Sequence, residues 1–176
     1  MYEVVIPLIV RDLTVGDLPT LGEPATKVLA MARELERVQL GEADYLAVCT
    51  PSGQPVGFGA VDYTKPAGGA TLYQLSVLEP LRACGIGTIL IQALEERIRA
   101  RGLRLAELGV DDASSRPRGL YERLGYVISG SEFGSWDVDA PDGSVTRYQT
   151  TITLLRKELP RLSTPTNGLG DRGSAE

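Results

Sequence analysis

The chain contains no histidine. That single absence removes Ser-His-Asp and Cys-His catalysis and every histidine-ligated metal site. Cysteine is scarce as well: Cys49 and Cys84 lie far apart and in no metal or redox spacing. No metal is therefore expected, and a reducing, cytoplasmic compartment is the default. No apolar run approaches the roughly 18 residues of a membrane span. The opening residues, Met1-Tyr2-Glu3-Val4-Val5-Ile6-Pro7, carry an acid and no basic cluster, so no secretory leader is expected. Net positive charge is also lacking. The formal charge of −5 disfavours nucleic acid as a partner, because phosphate binding needs a basic footprint. A cationic acceptor would instead be drawn toward the protein. Chemistry is left to carboxylates, tyrosine, serine, threonine, cysteine, lysine, arginine and backbone amides.

What is present suits one globular domain. The 176 residues are 43% apolar and 23% charged, enough to build a single core. Val4–Val10 reads as a β-branched strand near an edge, because of Pro7. Asp17 is a candidate cap for a short helix. Ala25–Val38 has helical spacing, with Val28, Leu29, Met31, Ala32, Leu35 and Val38 on one broad face. Tyr45–Cys49, Pro55–Tyr63 and Thr71–Val77 read as a meander of antiparallel strands, the last with Leu75 and Val77 on one face. A long helix follows from about Gly85 to Arg101. Its apolar stripe is Ile86, Ile89, Leu90, Ala93, Leu94 and Ile98; Glu95 pairs with Arg99, and Gly102 ends it. Leu103–Val110 is a strand, parallel to Thr71–Val77 because a helix separates them. A shorter helix spans Ser115–Leu124, Gly125–Ile128 a strand, Ser129–Val145 a long acidic loop, and Thr146–Leu155 a final strand. From Pro160 the chain is polar and glycine-rich, so the domain is set at 1–159 and a disordered tail is expected over 160–176.

The most informative stretch is Val77-Leu78-Glu79-Pro80-Leu81-Arg82-Ala83-Cys84-Gly85-Ile86-Gly87-Thr88, between a strand and a strong helix. Glycines there let backbone amides approach an anion, and the first amides of a helix have no internal partners. Strand, Gly-x-Gly loop and helix together make a phosphate site. Arg82 adds a cation and Thr88 a hydroxyl. The loop is not a dinucleotide fingerprint, because Leu90 stands where a third small residue is needed. It is not a Walker loop, because Gly-Lys-Ser/Thr is missing.

Arg82-x-x-Gly85-x-Gly87, preceded by Val77 and Pro80, resembles the acyl-CoA loop of the GNAT acetyltransferase superfamily. A second segment, Ser114-Ser115-Arg116-Pro117-Arg118-Gly119-Leu120-Tyr121-Glu122-Arg123-Leu124-Gly125-Tyr126, is similar to that family's Asn-x-x-Ala-x-x-Leu-Tyr-x-x-x-Gly-Phe/Tyr. It follows one helix and one strand later, as in the family. Ser114 replaces the usual Asn and Pro117 the usual Ala, while Tyr121 is retained. The two motifs and their element order cover roughly Val4 to Leu155.

The resemblance implies an α/β fold: a mixed central sheet of six or seven strands flanked by helices, with two parallel strands splayed at the acyl-CoA site. It implies transfer of an acetyl group from acetyl-CoA to an amine-bearing acceptor by direct attack in a ternary complex. The backbones of Leu75 and Val77 would meet the acyl carbonyl and the pantetheine arm. The amides of Arg82, Ala83, Cys84, Gly85, Ile86, Gly87 and Thr88 would hold the pyrophosphate, with Ser114 nearby. Tyr121 would protonate the departing thiolate. Glu107 is a candidate base on the strand before it; Thr71, where some relatives carry a catalytic glutamate, has no carboxylate. Cys84 has no visible activating group beyond the helix start. Glu132, Trp136, Asp137, Asp139 and Asp142 would border a cationic acceptor, and Arg116 and Arg118 could meet CoA phosphates. Two other readings stay open: a catalytically silent acyl-CoA sensor on the same fold, and an enzyme taking a bulkier acyl-CoA. A homodimer is the general expectation for such a chain.

Overall fold

The computed structural model describes residues 7–21, 25–65, 69–113, 115–139 and 143–160. The expected strand residues Val4–Ile6, Ser114, Asp142 and the expected tail from 161 onward lie outside the described residues. The side chains of Arg116 and Asp139 lie outside them too.

Seven strands form one sheet: β1 (Ile9–Asp12), β2 (Ala43–Cys49), β3 (Pro55–Asp62), β4 (Gly69–Val77), β5 (Leu105–Asp111), β6 (Val127–Asp139) and β7 (Val145–Glu158). Their spatial order is β1-β2-β3-β4-β5-β7-β6. Neighbours are antiparallel except β4 and β5, which run parallel. The helices are α1 (Ala25–Gln39), α2 (Ile86–Ala100) and α3 (Ser115–Arg123). This is the mixed α/β sheet that the sequence implies. The connection through α2 explains the parallel pair, because only a crossover can return the chain in the same direction.

The two faces of the sheet carry separate cores. On one face Ile86, Leu90, Ile91, Leu94 and Ile98 of α2 pack on Leu46, Val61, Leu72, Ala106, Leu108 and Val110, joined by Tyr121 and Tyr126. On the other face Met31 and Leu35 of α1 pack on Tyr45, Ala47, Phe58 and Ala60. Fully burying one such aliphatic side chain contributes about 1.5–3 kcal/mol. Leu29 departs from the expected stripe: it is 55% exposed, because a helical face narrower than the sequence pattern suffices to cover β2 and β3. Ile89 sits at the rim for the same reason.

Local signals end the elements. Gly102 (φ 77°) closes α2, with its N–H on Arg99 O (2.9 Å) and Leu103 N–H on Ile98 O (3.2 Å), the paired bonds that satisfy a helix C-terminus. Near the start of the chain, Thr14 rather than Asp17 caps the short 3₁₀ segment Val15–Thr20. Asp17 instead reaches back to accept Thr14 N–H (2.8 Å) and both arms of Arg11 (2.7 and 2.8 Å).

The largest departure from expectation is residues 129–139, which form no loop. Val127–Asp139 is a continuous strand paired with β7 from Val127↔Arg156 to Asp139↔Val145. Gly130, Gly134, Asp137 and Asp139, which read as loop residues, belong to an edge strand. Solvent on its free side tolerates polar residues, and the Ile128/Gly130 register shift absorbs the glycine.

Candidate active site

β4 and β5 supply the frame. They pair from Gly69↔Leu105 to Leu72↔Leu108 and no further, although β4 runs on to Val77 and β5 to Asp111. A bulge separates them. Register against β3 shifts between Phe58 and Ala60, and Gln74 takes φ 52°, a local geometry that bends its strand. The Tyr45 hydroxyl holds the Gln74 amide oxygen at 2.7 Å. Gly59 opposite makes room: a Cβ there would lie 2.5 Å from Leu75 Cδ2. A gap results between the Gln74–Val77 backbone and the end of β5. Leu75 and Val77 turn their side chains into the α2 core.

The glycine loop lies at the end of this gap. Ala83 (φ 63°) and Gly85 (φ 83°) both take left-handed conformations, which turn successive N–H groups into one concavity. Ile89 N–H is the first to enter the helical ladder, on Gly85 O (3.1 Å). Among the described residues, the N–H groups from Ala83 to Thr88 find no backbone carbonyl. No acidic residue occupies the first turn of α2, so its positive end is uncompensated. These amides fit a diphosphate, and Gly87 keeps the wall close: a Cβ there would meet Leu120 Cδ2 at 3.3 Å. Arg82 stands beside the concavity, largely exposed. Its Nε donates to Val77 O (3.3 Å), and its guanidinium lies 3.7 Å from Glu79. The exposed Cys84 thiol faces the Arg82 carbonyl (3.7 Å), a contact that activates nothing. Arg118 is paired with Glu122 (3.0 Å) on the surface of α3.

Tyr121 projects from α3 into the α2-side core and is 8% exposed. Its ring meets Tyr126 edge-on, with centroids 6.0 Å apart. Burial pushes the Tyr121 phenol above its ordinary range, because a phenolate would be poorly solvated there. It therefore keeps its proton at neutral pH. Its hydroxyl donates to no described side chain.

Glu107 lies on the opposite face. Ala106, Leu108 and Val110 of β5 point into the core that holds Tyr121, so the alternating Glu107 and Gly109 point away from it. Glu107 is the rung partner of Thr71, one step before pairing ends. Tyr73 of β4 shares this face, and its hydroxyl donates to Glu34 of α1.

The β6–β7 hairpin borders the same face. Trp136 and Tyr148 are cross-strand partners with rings 5.0 Å apart, and Trp136 remains 40% exposed. The Tyr148 hydroxyl donates to Asp111 (2.8 Å), which also accepts from Thr150 (2.7 Å) and Ala113 N–H (2.9 Å). The Thr150 hydrogen bond, then the Ala113 amide, hold the Asp111 carboxyl below the usual range. Asp137 instead pairs with Arg147 (2.9 Å).

The fold thus gathers Leu75, Val77 and the residues from Arg82 to Thr88 on one path, with Tyr121 behind it and Glu107 in front. Sequence reasoning missed Gln74, Asp111 and Tyr148. No local signal marks a bulge at Gln74. Asp111 and Tyr148 become visible only once β6 is recognised as a strand. Among the described residues, no group of three or more His, Cys, Asp or Glu side chains could hold a metal ion. No helix among them is long and apolar enough to cross a membrane.

Comparison with known proteins agrees with this architecture. The L-methionine sulfoximine/L-methionine sulfone acetyltransferase of Pseudomonas paraeruginosa (strain DSM 24068 / PA7) is 30% identical over 100 residues, 52% of this chain and 58% of that protein. The chain spans about half the length of the curated relatives it matches. Among solved structures, the ribosomal-protein-alanine N-acetyltransferase from Brucella melitensis superposes with a TM-score of 0.67 at 20% identity, over 86% of this chain and 99% of that one. The PaiA N-acetyltransferase from Thermoplasma acidophilum, in complex with coenzyme A, gives 0.61 at 16% identity over 87% and 99%. The sequence profile of the Acetyltransferase (GNAT) family matches residues 17–126, and the chain belongs to that family.

Proposed function

We propose that the protein is an N-acyltransferase that moves an acetyl group from acetyl-CoA to a primary amine of a small molecule or peptide. The observation that carries this reading is the run of amides from Ala83 to Thr88 that meet no backbone carbonyl among the described residues, set at the end of the gap between β4 and β5. Acetyl-CoA would supply an activated thioester. The amides of the loop and the first turn of α2 bind its diphosphate, with Arg82 swinging from Val77 O to neutralise charge. The Leu75 and Val77 backbone, freed from β5, pairs with the pantetheine arm. The N–H near Leu75 steadies the acyl oxygen as charge develops on it.

Tyr121 holds a proton for the departing thiolate. Its burial suits that task, since a phenol kept neutral is an acid ready to donate. Glu107 takes the proton of the incoming ammonium, directly or through water. The two groups stand on opposite faces of the gap, so loss of one proton and delivery of the other do not compete for one side chain. Acceptor entry falls on the Glu107 face, beside Trp136 and Tyr148. Carboxylates and an exposed indole there favour a cationic amine. The similarity to an acetyltransferase of amino-acid derivatives adds weight to a small acceptor.

The test is thiol release from acetyl-CoA across a panel of amino-acid derivatives, polyamines and peptide N-termini. Amine-dependent release with stoichiometric acetylated product supports the reading. Tight coenzyme A binding with no release for any amine would replace it with the sensor reading. Faster turnover with propionyl- or succinyl-CoA would move the assignment to a bulkier acyl donor.

A further inference from the structure

Glu95 is a buried acid that the chemistry above does not use. It is 2% exposed, on the α2 face that packs against the sheet. Its Oε1 accepts the Tyr126 hydroxyl (3.1 Å) and Lys157 Nζ (2.8 Å); its Oε2 accepts Lys157 (2.9 Å) and Arg99 (3.4 Å). One carboxylate therefore ties together α2, β7 and Tyr126, three residues beyond α3. A buried ion pair contributes little net stability compared with apolar residues of the same volume. Stability alone does not account for it.

What the cluster holds in place is Tyr126. Gly125 (φ 90°) turns the chain out of α3, and Tyr126 N–H donates to Tyr121 O (3.0 Å). The Tyr126 ring then meets the Tyr121 ring edge-on, 6.0 Å away and at 69°. Lys157 Nζ lies 5.6 Å from the Tyr126 ring centroid, so the cation braces the ring as well as the carboxylate. α3 spans only nine residues, too short to hold its own shape without packing. The placement of Tyr121 is therefore set by its neighbours, and Tyr126 is the neighbour with a fixed anchor.

We propose that Glu95, clamped by Lys157, is a positioning residue that acts through Tyr126 to hold the Tyr121 hydroxyl at the gap between β4 and β5. This rests on the reading of Tyr121 as the acid. A positioning role differs from a structural one in being felt only when Tyr121 can donate.

The experiment is a double-mutant cycle in kcat between Glu95→Gln and Tyr121→Phe, on full-length protein with acetyl-CoA and an amine that supports turnover. Glu95→Gln is expected to lower kcat about ten-fold with the acetyl-CoA KM unchanged. In the Tyr121→Phe background the same substitution is expected to change kcat less than about two-fold. Tyr126→Phe keeps the ring, deletes the hydroxyl and should repeat the pattern more weakly, which keeps the test intact should Glu95→Gln fold poorly. Thermal unfolding of each variant sets an assay temperature well below its midpoint. An equal loss in both Tyr121 backgrounds, or no loss in the parent, overturns the proposal. A Tyr121→Phe variant that runs at full rate removes the acid reading itself, and is distinguishable because that single variant reports it.

Discussion

The two faces of the β4–β5 gap are built from opposite materials. The α2 face is apolar, with Leu75, Val77, Val110 and Tyr121 against the buried stripe of α2. Its buried acid, Glu95, is partnered by Tyr126, Lys157 and Arg99. The other face is polar: Glu107, Tyr73, Asp111 and Tyr148 line it, and the Trp136 indole is open to solvent. In the proposed mechanism the dry face keeps the phenol protonated and the thioester arm desolvated, and the wet face admits a charged amine and takes up its proton. That proposal puts leaving-group chemistry on one side and acceptor chemistry on the other, so substitutions on the two sides should separate kinetically.

The largest expected effect is on the dry side. Tyr121→Phe should lower kcat by about 100-fold with the acetyl-CoA KM nearly unchanged, because general-acid assistance is lost while binding is kept. Steady-state thiol release reads this. Equal losses in kcat and in coenzyme A affinity would instead make the ring a packing element.

Gly85→Val comes next. A β-branched residue at φ 83° costs about 1–2 kcal/mol in backbone strain and closes the amide concavity. The acetyl-CoA KM should rise about 10- to 30-fold, with kcat at saturation falling far less. An unchanged KM would separate the loop from the cosubstrate.

On the wet side Glu107→Gln should cost about ten-fold in kcat at neutral pH with the acetyl-CoA KM unchanged. A kcat equal to the parent's would move the base elsewhere on that face. Trp136→Ala should raise the KM of a cationic acceptor about three- to ten-fold and leave the acetyl-CoA KM alone. A change in the acetyl-CoA KM instead would erase the distinction between the faces.

The smallest effect concerns stability. Arg11 holds the Asp17 carboxyl well below the usual carboxylate range, with Thr14 adding to the effect. A depressed folded-state value means stability that is complete above the ordinary carboxylate range. It is lost as pH falls below that range toward the folded value. Asp17→Asn should flatten the acid limb of thermal stability while leaving the neutral-pH rate within about two-fold, since the pair lies away from the gap. An unchanged acid limb would mean that Asp17 adds nothing pH-dependent to folding.

The dry side was far more legible in the sequence than the wet side. Helical spacing in Ile86–Ile98, the glycines at 85 and 87 and the segment around Tyr121 each act over a few residues, so local pattern suffices. The wet side depends on the β6–β7 hairpin, where Gly130, Gly134 and several acids mask a strand that exists through its pairing with β7. The Gln74 bulge is likewise a cross-strand event, enabled by the missing side chain at Gly59, whose place Leu75 takes. Glu95 was readable as a partner of Arg99. Its burial and its link to Tyr126 and Lys157 are tertiary.

The most direct test is calorimetric titration of the purified protein with coenzyme A, run beside Gly85→Val. One-to-one uptake with a dissociation constant of about 1–100 µM, weakened about ten-fold or more in the variant, is the predicted result. Absence of measurable binding by the parent protein, or equal affinity in the variant, would contradict the assignment of the Ala83–Thr88 amides as the diphosphate cradle.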